Sequence, residues 1–208
     1  LKRFSTNEDT AVLFPTLLYT VVMGGIFKPV SPQITLPLLL LFLIFWVKLI
    51  NEREHKWRNA VFAGILWGTL FLTYLYNWSF AVVLVGLYAL VLCVTRSFAE
   101  LKYHGLMTGV AVIIGIPYFV RLWQGLSAEF SGETAARLGL YFSHLPESYP
   151  KLAVALVWLA FFIWFSRHYR ILGKKRTQIV GVLLAANALY PNHQIITGVI
   201  IENTVHWV

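Results

Sequence analysis

The sequence predicts an all-α fold: a polytopic bundle of about six or seven transmembrane helices, with an amphipathic interfacial helix in one outer loop. Two observations predict this fold. Hydrophobic residues make up 58% of the chain and charged residues 12%, with a mean hydropathy of +0.68, whereas soluble domains carry about 25% charged residues. The apolar residues also form long runs separated by short basic connections, which is typical of multi-pass membrane proteins.

The longest run covers residues 60–95 and contains no formally charged side chain. One helix of that length would measure ~54 Å at ~1.5 Å per residue. The hydrocarbon core of a bilayer is only ~30 Å thick. The run is therefore expected to fold back on itself, and the triplet Asn77-Trp78-Ser79 at its middle is the predicted turn.

The chain divides into seven apolar segments. They are Ala11–Phe27, Ile34–Ile50, Ala60–Tyr76, Phe80–Thr95, Leu106–Trp123, Leu152–Tyr169 and Gln178 to about Ile201. Each approaches the ~17–25 residues that a spanning helix needs. Helices are expected because a backbone in lipid must satisfy its own hydrogen bonds.

The basic residues are distributed unequally between the two sides of this topology. Threading the segments in order places the connections 51–59, 96–105 and 170–177 on one side, and with their flanks they hold eleven of the 17 Lys and Arg residues. The other side carries Lys28, Arg121, Arg137 and Lys151. The positive-inside rule therefore assigns the basic connections to the cytoplasm.

The composition also bounds the organisation and the partners of the chain. We expect a single transmembrane domain, 1–208, from a longer polytopic protein, because the sequence starts without Met and stops after a polar cluster; a complete small membrane protein with a trimmed start is the alternative. The net charge is +8, yet the basic residues form no stripe interleaved with aromatic residues, so no nucleic-acid partner is expected. The single cysteine, Cys93, excludes an intrachain disulfide.

The outer loop 124–150 contains charged residues at helical spacing. Glu129, Glu133 and Arg137 recur every four residues, which on a helix places them along one face within reach of one another. The pattern predicts an amphipathic helix lying in the outer interface. The face is either solvated, with ordinary ion pairs, or it places Glu129 and Glu133 as accessory acids or bases at the mouth of a polar site.

The seventh segment carries polar residues directly after a proline. Pro191 leaves a backbone carbonyl without its partner in a continuing helix, and Asn192, His193 and Gln194 follow at once. A broken helix at membrane depth is one way to build a binding site. The alternative is a helix that ends at Ala188, followed by an interfacial loop.

The cations on the outer side are candidate phosphate ligands. Arg121 ends the fifth segment, and it either snorkels to the boundary or binds a lipid phosphate through its planar guanidinium group. Arg137 in the outer loop has the same alternatives.

No cofactor is evident in the sequence. Glu202 and His206 lie four residues apart, with His193 upstream, and two ligands at helical spacing plus a third suit a divalent metal. No HExxH pattern is present, and histidines beside an interfacial tryptophan are more often simply interfacial. We therefore expect no metal site and keep this trio as the minor alternative.

Two stretches resemble known families. Residues 64–80, GILWGTLFLTYLYNWSF, resemble the helical hairpin of polytopic glycosyltransferases of the GT-C superfamily, in which a glycine-punctuated helix runs to a short outer turn and returns at once. Residues 192–198, NHQIITG, resemble a motif of large, uncharacterised bacterial multi-pass membrane proteins. The catalytic acid of the GT-C superfamily usually lies in the first outer loop; this chain has no acidic pair in a matching place, so no catalytic residue is carried over.

The resemblance implies part of a glycosyltransferase-like enzyme of a bacterial cytoplasmic membrane, acting on the outer face with a polyprenyl-phosphate-linked sugar. The expected partners are membrane lipid and that donor. Arg121, Arg137 and residues 192–194 are the candidate binding residues. A transporter or flippase for a polar lipid or small solute, or a membrane subunit without chemistry, is the alternative.

Overall fold

The computed structural model describes residues 31–73, 75–127, 144–146, 149–169 and 174–198. Over these residues the fold is all-α, without a strand. The helices are α1 (Ser31–Asn51), α2 (Lys56–Phe71), α3 (Leu75–Val94), α4 (Phe98–Leu126), α5 (Tyr149–Tyr169), α6 (Lys174–Leu189) and α7 (Gln194–Thr197). A 3-10 turn, Tyr190–Asn192, joins α6 to α7.

Two of these helices are long and apolar enough to cross a membrane, over Asn77–Val94 and Phe98–Gly125. Two shorter apolar stretches, Thr35–Asn51 and Leu152–Ser166, belong to α1 and α5. The predicted segment Ala11–Phe27 and the predicted interfacial helix with Glu129, Glu133 and Arg137 lie outside the described residues.

The predicted position of the hairpin turn is wrong. The structure ends α2 at Phe71 and starts α3 at Leu75, so that the triplet 77–79 lies inside α3. The local cause is Thr73, whose backbone N–H and hydroxyl both donate to the carbonyl of Leu70, at 3.1 and 2.9 Å. These bonds satisfy one carbonyl at the end of α2 that has no partner within the helix.

The helices also extend beyond the apolar segments at the basic connections. α4 begins at Phe98 although its apolar segment begins at Leu106, and α6 begins at Lys174 although its segment begins at Gln178. The added residues include Ala, Glu, Leu and Lys, which have high intrinsic helix propensities. Hydropathy marks the apolar part of a helix and so misses its polar first turns.

Ring contacts fix the directions of the helices. Phe42 contacts Trp67 with ring centroids 6.0 Å apart, and Phe45 contacts Phe62 at 5.3 Å, so α1 and α2 are antiparallel. Trp78 of α3 meets Tyr118 of α4 at 5.5 Å and Tyr88 meets His104 at 5.1 Å, so α3 and α4 are also antiparallel. The helix ends therefore fall into two groups. One group, which we call the basic end, consists of the ends at Asn51, Lys56, Val94, Phe98 and Lys174. The other group, which we call the opposite end, consists of the ends at Ser31, Phe71, Leu75, Leu126 and Leu189.

The closest helix contact joins α2 to α4 through glycines. A Cβ on Gly64 would lie 2.6 Å from the carbonyl oxygen of Met107, and one on Gly68 would lie 2.6 Å from the Cβ of Ile114. On α4, a Cβ on Gly115 would lie 2.8 Å from the ring of Phe71. Small residues let two backbones approach this closely, and van der Waals contact then holds apolar helices together.

Substitution of Gly68 by Ala is expected to separate α2 from α4. The added methyl group meets the Cβ of Ile114, which cannot rotate away, and overpacking of this kind costs about 1–3 kcal/mol. Thermal unfolding followed by circular dichroism measures the loss. Gly109→Ala on α4 is the matched control, because no heavy atom lies within 4 Å of its added Cβ and alanine favours a helix. Equal midpoints for the two variants would contradict the close contact.

Candidate functional site

The opposite end of the bundle holds a cluster of hydrogen-bonded polar side chains. Asn77 Nδ2 of α3 donates to Thr35 Oγ1 of α1 at 2.6 Å. Ser79 Oγ lies 2.9 Å from the hydroxyl of Tyr190, which begins the 3-10 turn after α6. Thr35 and Ser79 are buried. We call Thr35, Asn77, Ser79, Tyr190 and residues 192–194 the polar cluster.

The chain enters this cluster because α6 stops there. Pro191 lacks a backbone N–H, so the α-helical ladder cannot continue through it. Asn192 Nδ2 instead donates to the carbonyl of Ala188 at 3.0 Å, which satisfies one carbonyl at the end of α6. α7 then ends at Gly198, whose φ of 71° is the left-handed conformation that glycine adopts most readily.

Two side chains of this interrupted stretch are buried although they are polar. Asn192 is 5% exposed and Gln194 is 2% exposed. The Oδ1 atom of Asn192 is buried and has no hydrogen-bond partner among the described residues. Leaving a buried acceptor unpaired costs about 1–3 kcal/mol. An incoming hydroxyl or N–H group that donates to this oxygen would remove that cost.

His193 and His144 complete the surroundings of the cluster. His193 Nδ1 lies 3.1 Å from the hydroxyl of Thr197, and its ring centroid is 6.3 Å from that of Tyr190. His144, from the connection between α4 and α5, places Nδ1 3.2 Å from the carbonyl oxygen of Ile195. Because a carbonyl only accepts, that nitrogen carries the proton. A side chain on Gly198 would collide with the His144 ring, since its Cβ would lie 2.9 Å from Cε1.

The chemistry of the cluster is neutral. Hydroxyls, amides and imidazoles both donate and accept, and they suit an uncharged group rich in hydroxyls, whereas anions are bound by Arg or Lys. Of the predicted binding residues, His193 contacts the ring of Tyr190, whose hydroxyl reaches Ser79. Asn192 and Gln194 are buried in the same stretch of chain. Arg121 is exposed on α4 and has no polar partner among the described residues. Glu129, Glu133 and Arg137 lie outside the described residues.

No group of three His, Cys, Asp or Glu residues in the described part of the chain is arranged to hold a metal. His193 is described, whereas its predicted companions Glu202 and His206 lie outside the described residues.

A charged network at the basic end was missed by sequence reasoning. Glu100, in the first turn of α4, pairs with Lys56 of α2 and, at 3.2 Å, with Lys175 of α6. Lys175 Nζ also donates to the carbonyl oxygen of Ile50 at 2.9 Å. One carboxylate thus ties together α2, α4 and α6, and Lys175 adds the end of α1. The one sequence feature that could have indicated this network is Glu100 itself, a single acidic residue within the basic connection 96–105.

Glu100 lies before the apolar stretch that starts at Leu106. Partial burial alone would raise the pKa of this carboxyl group, but the hydrogen bonds and charges of Lys56 and Lys175 outweigh it and hold the pKa below its usual value of 4.5. A lowered pKa in the folded state means that the carboxylate stabilises the fold above the usual value, and that this contribution is lost as pH falls through the folded-state pKa.

Comparisons of the chain with protein-family models, with curated proteins and with solved structures find no match.

Substitution of Glu100 by Gln is expected to lower the thermal midpoint at pH 7, because Lys56 and Lys175 lose their common partner. The difference between variant and wild type is expected to shrink as pH falls from 4.5 through the lower folded-state pKa, where the wild-type carboxylate itself becomes protonated. Circular dichroism melts over a pH series measure this. Glu54→Gln, at an exposed position of the same end, is the control. A difference that is independent of pH would show that Glu100 acts by packing alone.

Tyr190 and Ser79 are expected to couple in a double-mutant cycle. Tyr190→Phe removes the hydrogen bond between the Tyr190 and Ser79 hydroxyls and costs about 1 kcal/mol, whereas removal of both partners costs less than the sum of the two single changes. The ring contact of Tyr190 with Phe80, at 5.8 Å, is retained. Tyr149→Phe, at an exposed tyrosine, is the control for thermal unfolding. Strict additivity of the two changes would argue against the hydrogen bond.

Proposed function

We propose that the chain is a multi-pass integral membrane protein of about six or seven spans, with its basic end in the cytoplasm. The observation that supports this is the apolar outer surface of the bundle. Ile113 of α4 is 67% exposed, and on α5 Val157 is 67% and Trp164 54% exposed. In water, faces of this extent would drive association, whereas lipid tails cover them at no cost.

The lengths of three helices support this placement, whereas α2 and α6, with 16 residues each, are shorter. α1 and α5 have 21 residues each and α4 has 29, which at ~1.5 Å per residue gives ~31 Å and ~43 Å. The first value matches a hydrocarbon core of ~30 Å. The excess length of α4 carries its charged first turns, with Glu100 and Lys102, beyond the core.

We further propose that this membrane protein is part of a glycosyltransferase-like enzyme. The enzyme would use a lipid-phosphate-linked sugar on the outer face. The polar cluster supplies neutral donors and acceptors for sugar hydroxyls. In the transfer, the acceptor oxygen forms a bond to the anomeric carbon, the bond from that carbon to the donor phosphate breaks, and the acceptor proton passes to a base. Glu129 and Glu133 are the proposed acids or bases, and Arg121 and Arg137 the proposed ligands of the departing phosphate.

A transporter or flippase of a polar lipid or small solute is the second candidate. The interruption of α6 at Tyr190–Asn192 favours it, because broken helices with buried polar groups form substrate sites in transporters. The two candidates share the ligand-binding cluster and differ in the fate of the ligand.

Thiol labelling tests the topology. In a Cys93→Ser background, single cysteines replace Glu54 at the basic end and Ser127 at the opposite end, both exposed positions. A membrane-impermeant maleimide added to intact cells is expected to label the cysteine at 127 and to spare the one at 54, which reacts only after permeabilisation. Labelling of both positions from outside would overturn the spanning arrangement.

Ligand binding by the purified full chain, measured as a rise in its thermal midpoint, tests the function. Polyprenyl-phosphate sugar is expected to raise the thermal midpoint, whereas polyprenyl phosphate without a sugar raises it less, because the polar cluster contacts the sugar. Asn192→Leu is expected to remove that difference, and Asn51→Leu, an exposed asparagine at the basic end, is the matched control. Product formation with an acceptor indicates transfer, and movement of the intact ligand between leaflets indicates transport. Equal responses to the two lipids would refute the assignment of the cluster.

A further inference from the structure

Three exposed arginines at the basic end have no partner among the described residues. Arg53 lies between α1 and α2, Arg58 on the first turn of α2 and Arg96 between α3 and α4. Two carboxylates of this end are engaged elsewhere: Glu100 pairs with Lys56 and Lys175, and Glu52 accepts from Asn59 Nδ2 at 2.8 Å. The arginines are therefore available to a ligand that lies outside the bundle.

Arg96 occupies a backbone conformation that disfavours its own side chain. Its φ is 54°, and it is the one non-glycine residue with positive φ in the described part of the chain. Ser97 N–H donates to the carbonyl of Leu92 at 2.8 Å and Arg96 N–H to that of Cys93 at 3.0 Å, which closes the end of α3. Glycine is the usual residue at this position of a helix end, so an arginine there sacrifices stability and presents a cation at the surface of the turn.

Apolar and aromatic side chains surround these cations. Val94 is 76% exposed, and Trp57 and Phe98 are each 64% exposed. Tryptophan and phenylalanine exposed beside Arg or Lys at a helix end are typical of the boundary between acyl chains and headgroups. Guanidinium groups at that depth face phosphate oxygens, which they bind through two parallel N–H donors.

We propose that Arg53, Arg58 and Arg96 bind the phosphates of acidic phospholipids in the adjoining leaflet. This rests on the proposed membrane placement. The described part of the basic end favours an acidic lipid over a zwitterionic one through its charge, because its cations exceed its carboxylates. The cations are Lys48, Arg53, Lys56, Arg58, Arg96, Lys102, Lys175 and Arg176; the carboxylates are Glu52, Glu54 and Glu100.

Lipid retention tests the proposal on the full chain. Protein purified in an uncharged detergent is incubated with equal amounts of phosphatidylglycerol and phosphatidylcholine and repurified, and the bound lipids are counted by mass spectrometry. Wild type is expected to enrich phosphatidylglycerol. Each substitution Arg53→Gln, Arg58→Gln or Arg96→Gln lowers the ratio about fivefold, the usual worth of one basic residue near a membrane surface. Gln124→Ala, at an exposed uncharged position of the opposite end, is the control and leaves the ratio unchanged.

Arg96→Gly separates ligand binding from folding. The glycine fits the left-handed position, so the midpoint without lipid is expected to equal or exceed that of wild type while the lipid ratio falls about fivefold. Arg96→Lys is expected to keep most of the wild-type lipid ratio, because the positive charge remains, whereas Arg96→Ala is expected to lower it. The proposal is judged on the ratio, and the midpoint shows that the variant is folded. A folded Arg96→Gly protein that keeps the wild-type ratio overturns the role of Arg96.

Two further outcomes would overturn the proposal as a whole. Equal retention of the two lipids by wild type shows that the arginines do not select acidic lipid. Displacement of phosphatidylglycerol by inorganic phosphate, but not by sodium chloride at the same ionic strength, assigns the arginines to a soluble anion. Extraction of the chain from membranes at alkaline pH would instead refute the proposed membrane placement, so the two failures are distinguishable.

Discussion

The contact between α2 and α4 determines the arrangement of the other helices. With glycine at positions 64 and 68, the backbone of α2 lies against Met107 and Ile114. The two helices run in the same direction, so the chain must cross the bundle through α3 between them. α3 then meets α1 at Trp46 and Tyr88, whose rings lie 5.3 Å apart edge to face. Contacts in an apolar interior are not directional, so leucine packing alone would allow several positions of one helix along another. The close approach of α2 and α4 selects one of these positions.

Polar interactions at the two ends give the bundle a second level of specificity. At the basic end a carboxylate pairs with two lysines from different helices, and at the opposite end uncharged hydroxyls and amides pair between helices. Such contacts add little net stability when they are exposed, but a buried polar group without a partner is costly. They therefore penalise rotation or sliding of a helix more than they reward the native arrangement.

The sequence predicted the helical class, the alternation of helix directions and the grouping of the basic connections at one end. These features follow from hydropathy and charge, which are local properties of the chain. It did not predict the turn at Thr73, because that turn depends on a hydroxyl closing the carbonyl of Leu70. It also did not predict the pairing of Thr35 with Asn77 or of Ser79 with Tyr190, since partners so far apart in the chain meet only once the helices pack. Glu100 was missed for the same reason, because one acid among many bases has no visible partner in a sequence.

The two attachments of α6 have a mechanical consequence. Lys175 tethers its first turn to Glu100 and to the end of α1, and Tyr190 tethers its last residues to Ser79. A piston-like shift of α6 would break both tethers at once. α5 packs mainly on α6, where a Cβ on Gly181 would lie 3.4 Å from the ring of Phe162. α6 therefore connects the two ends of the bundle, because a change at one tether acts on the same helix that carries the other.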